Sequence, residues 1–178
     1  MTKNILFAGF GGQGILFSGK IAAYSGLLEG KEVSWLPSYG PEMRGGTANC
    51  SVVISDEQVA SPLVLNPDIL MVMNVQSFDK FIDSVVPGGV VLVDSTLVSK
   101  KTTRTDISVY KVPATKLAAD NGLEGLANMI LMGKMLETTS FVSYDIMKKA
   151  LEKTIPPKKA HLLDGNLKAI DMGMKYEG

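Results

Sequence analysis

The residues best suited to chemistry fall in two short stretches. The first is Gly9-Phe10-Gly11-Gly12-Gln13-Gly14, which follows the apolar run Ile5-Leu6-Phe7-Ala8 and leads into Ile15 and Leu16. A strand, a Gly-x-Gly-x-x-Gly turn through Gly9, Gly11 and Gly14, and then a helix form the pattern by which dinucleotide-binding folds approach a pyrophosphate. The glycines allow a tight turn and close backbone approach, and the free amides of a helix start attract anions. Gln13 adds a long amide able to bond a ligand, a partner backbone or solvent. A nicotinamide site also needs a carboxylate at the end of the second strand. That strand ends Trp35-Leu36-Pro37-Ser38, and Glu29 and Glu32 lie before it or at its start. The fingerprint is therefore half complete. The competing reading is that the glycines serve only the turn and the packing of the helix.

The second stretch is Pro37-Ser38-Tyr39-Gly40-Pro41-Glu42-Met43-Arg44-Gly45-Gly46. Prolines, glycines and isolated charges do not make core, and the pattern predicts a loop from Pro37 to Gly46. Its prolines lower the entropy lost on ordering, its glycines let another backbone approach, and Arg44 offers a planar fork to phosphate or carboxylate. Both stretches should emerge at the carboxyl ends of strands, where open α/β sheets place their sites. The plainer reading is a solvated surface loop.

Other reactive residue types are few. The chain has one Cys and one His in 178 residues. One Cys cannot form an internal disulfide, a cysteine-rich zinc site or an iron–sulfur cluster. Cys50 alternates with apolar neighbours and reads as a small buried hydrophobe. His161 follows Pro156-Pro157-Lys158-Lys159 and reads as a surface or helix-start residue with no visible catalytic partner. Met71, Met73, Met129, Met132 and Met135 read as core or subunit-contact residues. Lys100-Lys101 and Lys158-Lys159 read as solvated. Asp164-Gly165-Asn166 reads as a turn. No catalytic residue and no metal ligand is assigned.

These stretches need elements to hold them. Strands are expected at Lys3–Phe10, Lys31–Leu36, Thr47–Ser55, Ile69–Met73, Val90–Asp94 and Ile107–Val112. Helices are expected from Ile15 to the stop at Gly30, from Ser77 to Val86, from Leu126 to Leu136, from a Ser143 cap through Thr154, and from Ala160 to about Met174. The alternation marks a single α/β domain over residues 1–178. It should carry a mostly parallel, Rossmann-like sheet with helices on both faces and a helical C-terminal part.

Lys plus Arg and Asp plus Glu are 18 each, so the net charge is +0. A balanced chain has no excess field for nucleic acid or anionic lipid. No secretory signal and no apolar run near the roughly 20 residues of a membrane span is visible. With one Cys, this agrees with a reducing cytoplasm.

Together the two loops resemble the gamma subunit of 2-oxoacid:ferredoxin (acceptor) oxidoreductases. Pro67-Asp68, Pro87-Gly88-Gly89, Val112-Pro113-Ala114-Thr115 and Asn128-Met129 extend the similarity over nearly the whole chain. The resemblance implies a multi-subunit enzyme that oxidatively decarboxylates a 2-oxoacid with coenzyme A, giving acyl-CoA, carbon dioxide and reduced ferredoxin. Thiamine diphosphate, magnesium and iron–sulfur clusters would reside in alpha and beta subunits and in a ferredoxin-like delta subunit where one is present. The gamma chain would bind none of them alone and would be inactive by itself, with self-association open to it when isolated. It would shape the subunit interface and the coenzyme A entrance through Gly9, Gly11, Gly12, Gln13, Gly14, Tyr39, Gly40, Pro41, Glu42, Met43, Arg44, Gly45, Gly46 and Asn128. The full Tyr-Gly-Pro-Glu-Met-Arg-Gly-Gly loop is more like the 2-oxoglutarate or branched-chain types than the pyruvate type. The stretch Asn121–Asn128 and Gly133-Lys134-Met135 depart from the usual pattern. Two other readings stand beside this one: a free-standing nucleotide-binding dehydrogenase, and a purely structural interaction module.

Overall fold

Apolar runs of four or five residues, too short for a buried helix and flanked by Pro-Asp and Pro-Gly-Gly, become the middle of a sheet. In a computed structural model, which describes residues 1–40 and 46–178, β1 (Thr2–Phe10) lies between β3 (Thr47–Ser55) and β4 (Ile69–Val72). The six-stranded order is β2-β3-β1-β4-β5-β6, with β2 (Glu32–Tyr39) at one edge and β5 (Val90–Asp94) and β6 (Ser108–Val112) at the other side. The pairs β1–β4, β4–β5 and β5–β6 are parallel, whereas β3 runs antiparallel to both its neighbours. Five strands thus share one direction and β3 opposes them. The expected mostly parallel α/β sheet is present, with a β2–β3 hairpin added at its edge.

Both faces are covered, unequally. Ile5, Phe7, Cys50, Val52, Met71 and Leu92 point to the face that carries α1 (Ile15–Leu28), α3 (Ala114–Asp120), α4 (Ala127–Thr139), α5 (Tyr144–Thr154) and α6 (His161–Lys175). Leu6, Ala8, Leu70, Val72, Val91 and Val93 point to the other, under Phe78 of α2 (Val75–Phe81), Ile82 and the chain around Val64. Each fully buried Val, Leu, Ile, Phe or Met among them contributes roughly 1.5–3 kcal/mol of transfer free energy.

The helix α4 is buried on every side from Asn128 to Leu136, because the sheet lies beneath it and α6 above it. The two helices touch backbone to backbone. A Cβ on Gly133 would lie 2.0 Å from the Ile170 carbonyl oxygen, and one on Gly173 would lie 1.8 Å from that of Ile130. Lys134 escapes burial of a bare charge: its Nζ donates to the Tyr176 carbonyl at 3.0 Å and pairs with Glu137 at 2.9 Å.

Several expectations need correction. The strand β2 runs on through Pro37, Ser38 and Tyr39, so the loop is shorter than Pro37–Gly46. Pro37 is tolerated because β2 is an edge strand, where a missing ladder donor costs least. Asp164-Gly165-Asn166 is no turn but lies inside α6, where Asn166 Nδ2 donates to the Leu162 carbonyl one turn back at 2.7 Å. The helix expected to reach Val86 ends at Phe81 and tightens into a 3₁₀ turn over Ile82–Ser84. The short α3 was not expected at all. Ser143 does cap α5, its side chain accepting from the Ile146 amide.

Candidate functional site

The connection out of β1 carries α1 on one face toward β2, and that out of β4 carries α2 on the other face toward β5. The carboxyl ends of β1 and β4 are thus a topological switch point, the place where α/β sheets open a crevice. The glycine loop sits there. Gly14 takes a left-handed φ of 76° as the first residue before α1, and no side chain among the described residues caps that helix. A pocket of about 300 Å³ opens beside the loop, lined by Gly12, Gln13, Met73, Leu97, Thr115 and Ala127 among others.

The loop is braced from three directions. The Gly11 amide donates to the Gly46 carbonyl at 3.0 Å, which joins the glycine loop to the end of the second loop. The Phe10 amide donates to Gln13 Oε1 at 2.7 Å, and Gln13 Nε2 donates to the Met73 carbonyl at the end of β4 at 3.0 Å. Gly9 makes room for that amide, since a Cβ there would stand 2.5 Å from Gln13 Oε1. From α4, Asn128 is 2% exposed and its Nδ2 donates to the Gly14 carbonyl at 3.2 Å and to Ser18 Oγ at 3.1 Å. Asn128 Oδ1 is buried with no hydrogen-bond partner among the described residues.

The structure therefore brings together Gly9, Gly11, Gly12, Gln13, Gly14, Gly46 and Asn128. Tyr39 ends β2 opposite Ala48 and is 55% exposed, and the Gly40 amide donates to the Thr47 carbonyl at 2.8 Å. Pro41, Glu42, Met43, Arg44 and Gly45 lie outside the described residues. Asp94 belongs to the same sheet end and was missed. It is fully buried, and its carboxylate accepts from Thr115 Oγ1 at 2.5 Å and from the Thr96 amide at 3.1 Å. A carboxylate closing an apolar strand, Val90-Val91-Leu92-Val93-Asp94, was the available signal.

Cys50 is buried against Gly19 and Trp35, and loss of solvent pushes its thiol up to about 12, which keeps it protonated and unreactive at neutral pH. His161 is an exposed residue at the start of α6. Among the described residues, no three His, Cys, Asp or Glu side chains are grouped to hold a metal ion. No described helix is long and apolar enough to cross a membrane.

The strand order speaks to the nicotinamide reading. In a dinucleotide fold the second strand lies beside the first and delivers its carboxylate there. Here β3 stands between β1 and β2, so the end of β2 is two strand spacings away, roughly 10 Å, and carries Ser38 and Tyr39 instead.

Residues 4–176 match the family described as pyruvate ferredoxin/flavodoxin oxidoreductase. The chain belongs to this family. It is 42% identical over 159 residues to the 2-oxoglutarate synthase subunit KorC of Methanocaldococcus jannaschii, across 88% of this chain and 85% of that protein. The gamma subunit of a keto/oxoacid ferredoxin oxidoreductase from Geobacter sulfurreducens PCA is similar at a TM-score of 0.82 and 31% identity, over 97% of this chain and 96% of the other. The 2-oxoglutarate:ferredoxin oxidoreductase of Magnetococcus marinus, solved with 2-oxoglutarate, coenzyme A and succinyl-CoA bound, shares the fold at a TM-score of 0.86 and 24% identity. This chain spans 30% of that longer protein and 36% of a ketoisovalerate oxidoreductase subunit, so the family includes the same unit both as a separate chain and within larger ones. The resemblance read from the two loops thus holds at the level of the family.

Proposed function

We propose that this chain, as one domain, serves as the gamma subunit of a multi-subunit 2-oxoacid:ferredoxin oxidoreductase, with 2-oxoglutarate as the 2-oxoacid. The reading rests on one observation: two loops tied together by the Gly11–Gly46 hydrogen bond at a switch-point crevice, in a chain with one buried Cys and one exposed His. That is a shaped wall without redox groups. Thiamine diphosphate, magnesium and iron–sulfur clusters belong to alpha and beta partners, with a ferredoxin-like delta subunit where present, and a reducing cytoplasm suits them. Ferredoxin accepts the electrons. This chain contributes the coenzyme A entrance: the start of α1 offers free amides to a phosphate, the guanidinium of Arg44 suits either a coenzyme A phosphate or a partner carboxylate, and Tyr39 presents an exposed ring. These groups bind and orient, and no bond-breaking step falls to them.

Coexpression with alpha and beta chains tests the reading. The isolated chain should show no turnover, and the complex should form acyl-CoA from 2-oxoglutarate. Arg44→Ala should raise KM for coenzyme A about tenfold or weaken assembly. Turnover by the isolated chain, or an Arg44→Ala complex unchanged in both assays, would remove the corresponding part. One observation favours a narrower reading. Gln13 and Asn128 turn inward, so the loop shows mostly backbone outward. If loop substitutions alter assembly yet leave KM for coenzyme A untouched, the chain is a packing module only.

A further inference from the structure

We propose that Gln13 is a positioning residue, which clamps the glycine loop so that its outer surface meets the coenzyme A entrance already formed. The proposal rests on the functional reading above and deepens it. A glutamine opening a helix would ordinarily be assigned to a ligand. Here both ends of its amide are engaged within the chain. Oε1 accepts from the Phe10 amide at 2.7 Å, three residues earlier, and Nε2 donates to the Met73 carbonyl at 3.0 Å, sixty residues later. The side chain thus spans the carboxyl ends of β1 and β4, the two strands that flank the switch point.

The fit is specific to this amide. Gly9 leaves only the space that Oε1 fills, because any Cβ there would lie 2.5 Å from it and 2.9 Å from Ile15 Cδ1. Phe10 is closed into the same turn from its other side, its carbonyl accepting from the Gln13 amide at 3.3 Å. Met73 in turn donates to the Ala8 carbonyl at 3.0 Å, so the strand end that receives Gln13 is itself fixed. The amide keeps one N–H and one lone pair beyond these two bonds, but a ligand that turned it outward would break both, and each freed partner would be a backbone group at a partly buried site. What the clamp shapes for a ligand is the loop backbone that Gln13 holds. Two glycines in left-handed conformations, Gly12 at φ 94° and Gly14 at φ 76°, would otherwise leave that backbone many alternatives. Holding it in one of them lowers the ordering cost of binding.

Two readouts separate this role from direct contact. Hydrogen exchange in the full chain reports the loop, and steady-state kinetics of the assembled complex reports coenzyme A. In Gln13→Ala the Phe10 amide should exchange about fivefold to tenfold faster, and KM for coenzyme A should rise about tenfold with kcat within about twofold. Gln13→Glu supplies the rescue. Its carboxylate still accepts from Phe10 but has no proton for the Met73 carbonyl, whereas the protonated carboxyl can do both. The ratio of variant to wild-type KM should therefore fall as pH drops toward the carboxyl range. A raised KM with unchanged Phe10 exchange would overturn the proposal in favour of direct contact. Faster exchange with unchanged KM would instead show a clamp on a loop that coenzyme A does not use, overturning both the positioning role and the coenzyme A reading.

Discussion

The crossing of α4 over α6 and the loop that opens α1 are both built on glycine, and they differ in what stands opposite the missing Cβ. At the crossing, Gly133 and Gly173 each face a backbone carbonyl at 2.0 and 1.8 Å, which cannot give way. At the loop, Gly9 and Gly14 face the ends of amide side chains, Gln13 at 2.5 Å and Asn128 at 2.4 Å, which can rotate. The first contact excludes everything and holds the helical layer together. The second keeps polar groups in register beside an open pocket. A missing Cβ thus makes room for an adjustable side-chain amide in the one place and for unyielding backbone in the other.

The largest effect should come from the crossing. Gly173→Ala must force α6 away from α4 and should cost about 3 kcal/mol, read from the urea midpoint. Its activity in complex should follow the folded fraction alone, and a loss of kcat in fully folded material would erase the contrast. Gly14→Ala comes next. It places a side chain in the left-handed region and against Asn128, at a cost of about 2 kcal/mol. Adding Asn128→Ala removes the obstacle, so the double variant should be more stable than the sum of the singles by about 1 kcal/mol. Strict additivity would mean that Asn128 had already moved aside. The smallest effect on stability at neutral pH belongs to the ionisation of Cys50, which touches neither site. Its thiol is raised from 9.0 to about 12 in the fold, so the unfolded thiol ionises first. Stability should be indifferent to this group below pH 9.0 and fall as pH climbs from there toward about 12, and Cys50→Ala should remove that portion of the slope.

Much of this was legible in the residues, and the failures have physical causes. The β4 and β5 strands were visible as apolar runs because both faces of each are buried. The α5 start was visible because Ser143 caps it locally. By contrast α3 spans only seven residues behind Pro113, too few for a period to show. The extension of β2 across Pro37 depends on its being an edge strand, a fact of sheet order and not of local pattern. The two loops could be found from spacing. That Gln13 reaches Met73 and that Asn128 reaches Gly14 could not, because those bonds join segments 60 and 114 residues apart.

The place of β1 at the centre of the sheet has a consequence for synthesis. Ile5, Leu6, Phe7 and Ala8 leave the ribosome before either neighbouring strand exists, since β3 closes at Ser55 and β4 at Val72. At roughly 5–20 residues per second, this apolar segment waits several seconds for its first partner. During that wait α1, the first element to follow it, is the nearest cover. The layer closes only when α6, made after α4, sets Gly173 against it. Removing or slowing the 15-residue α6 would leave the apolar α4 exposed on the nascent chain.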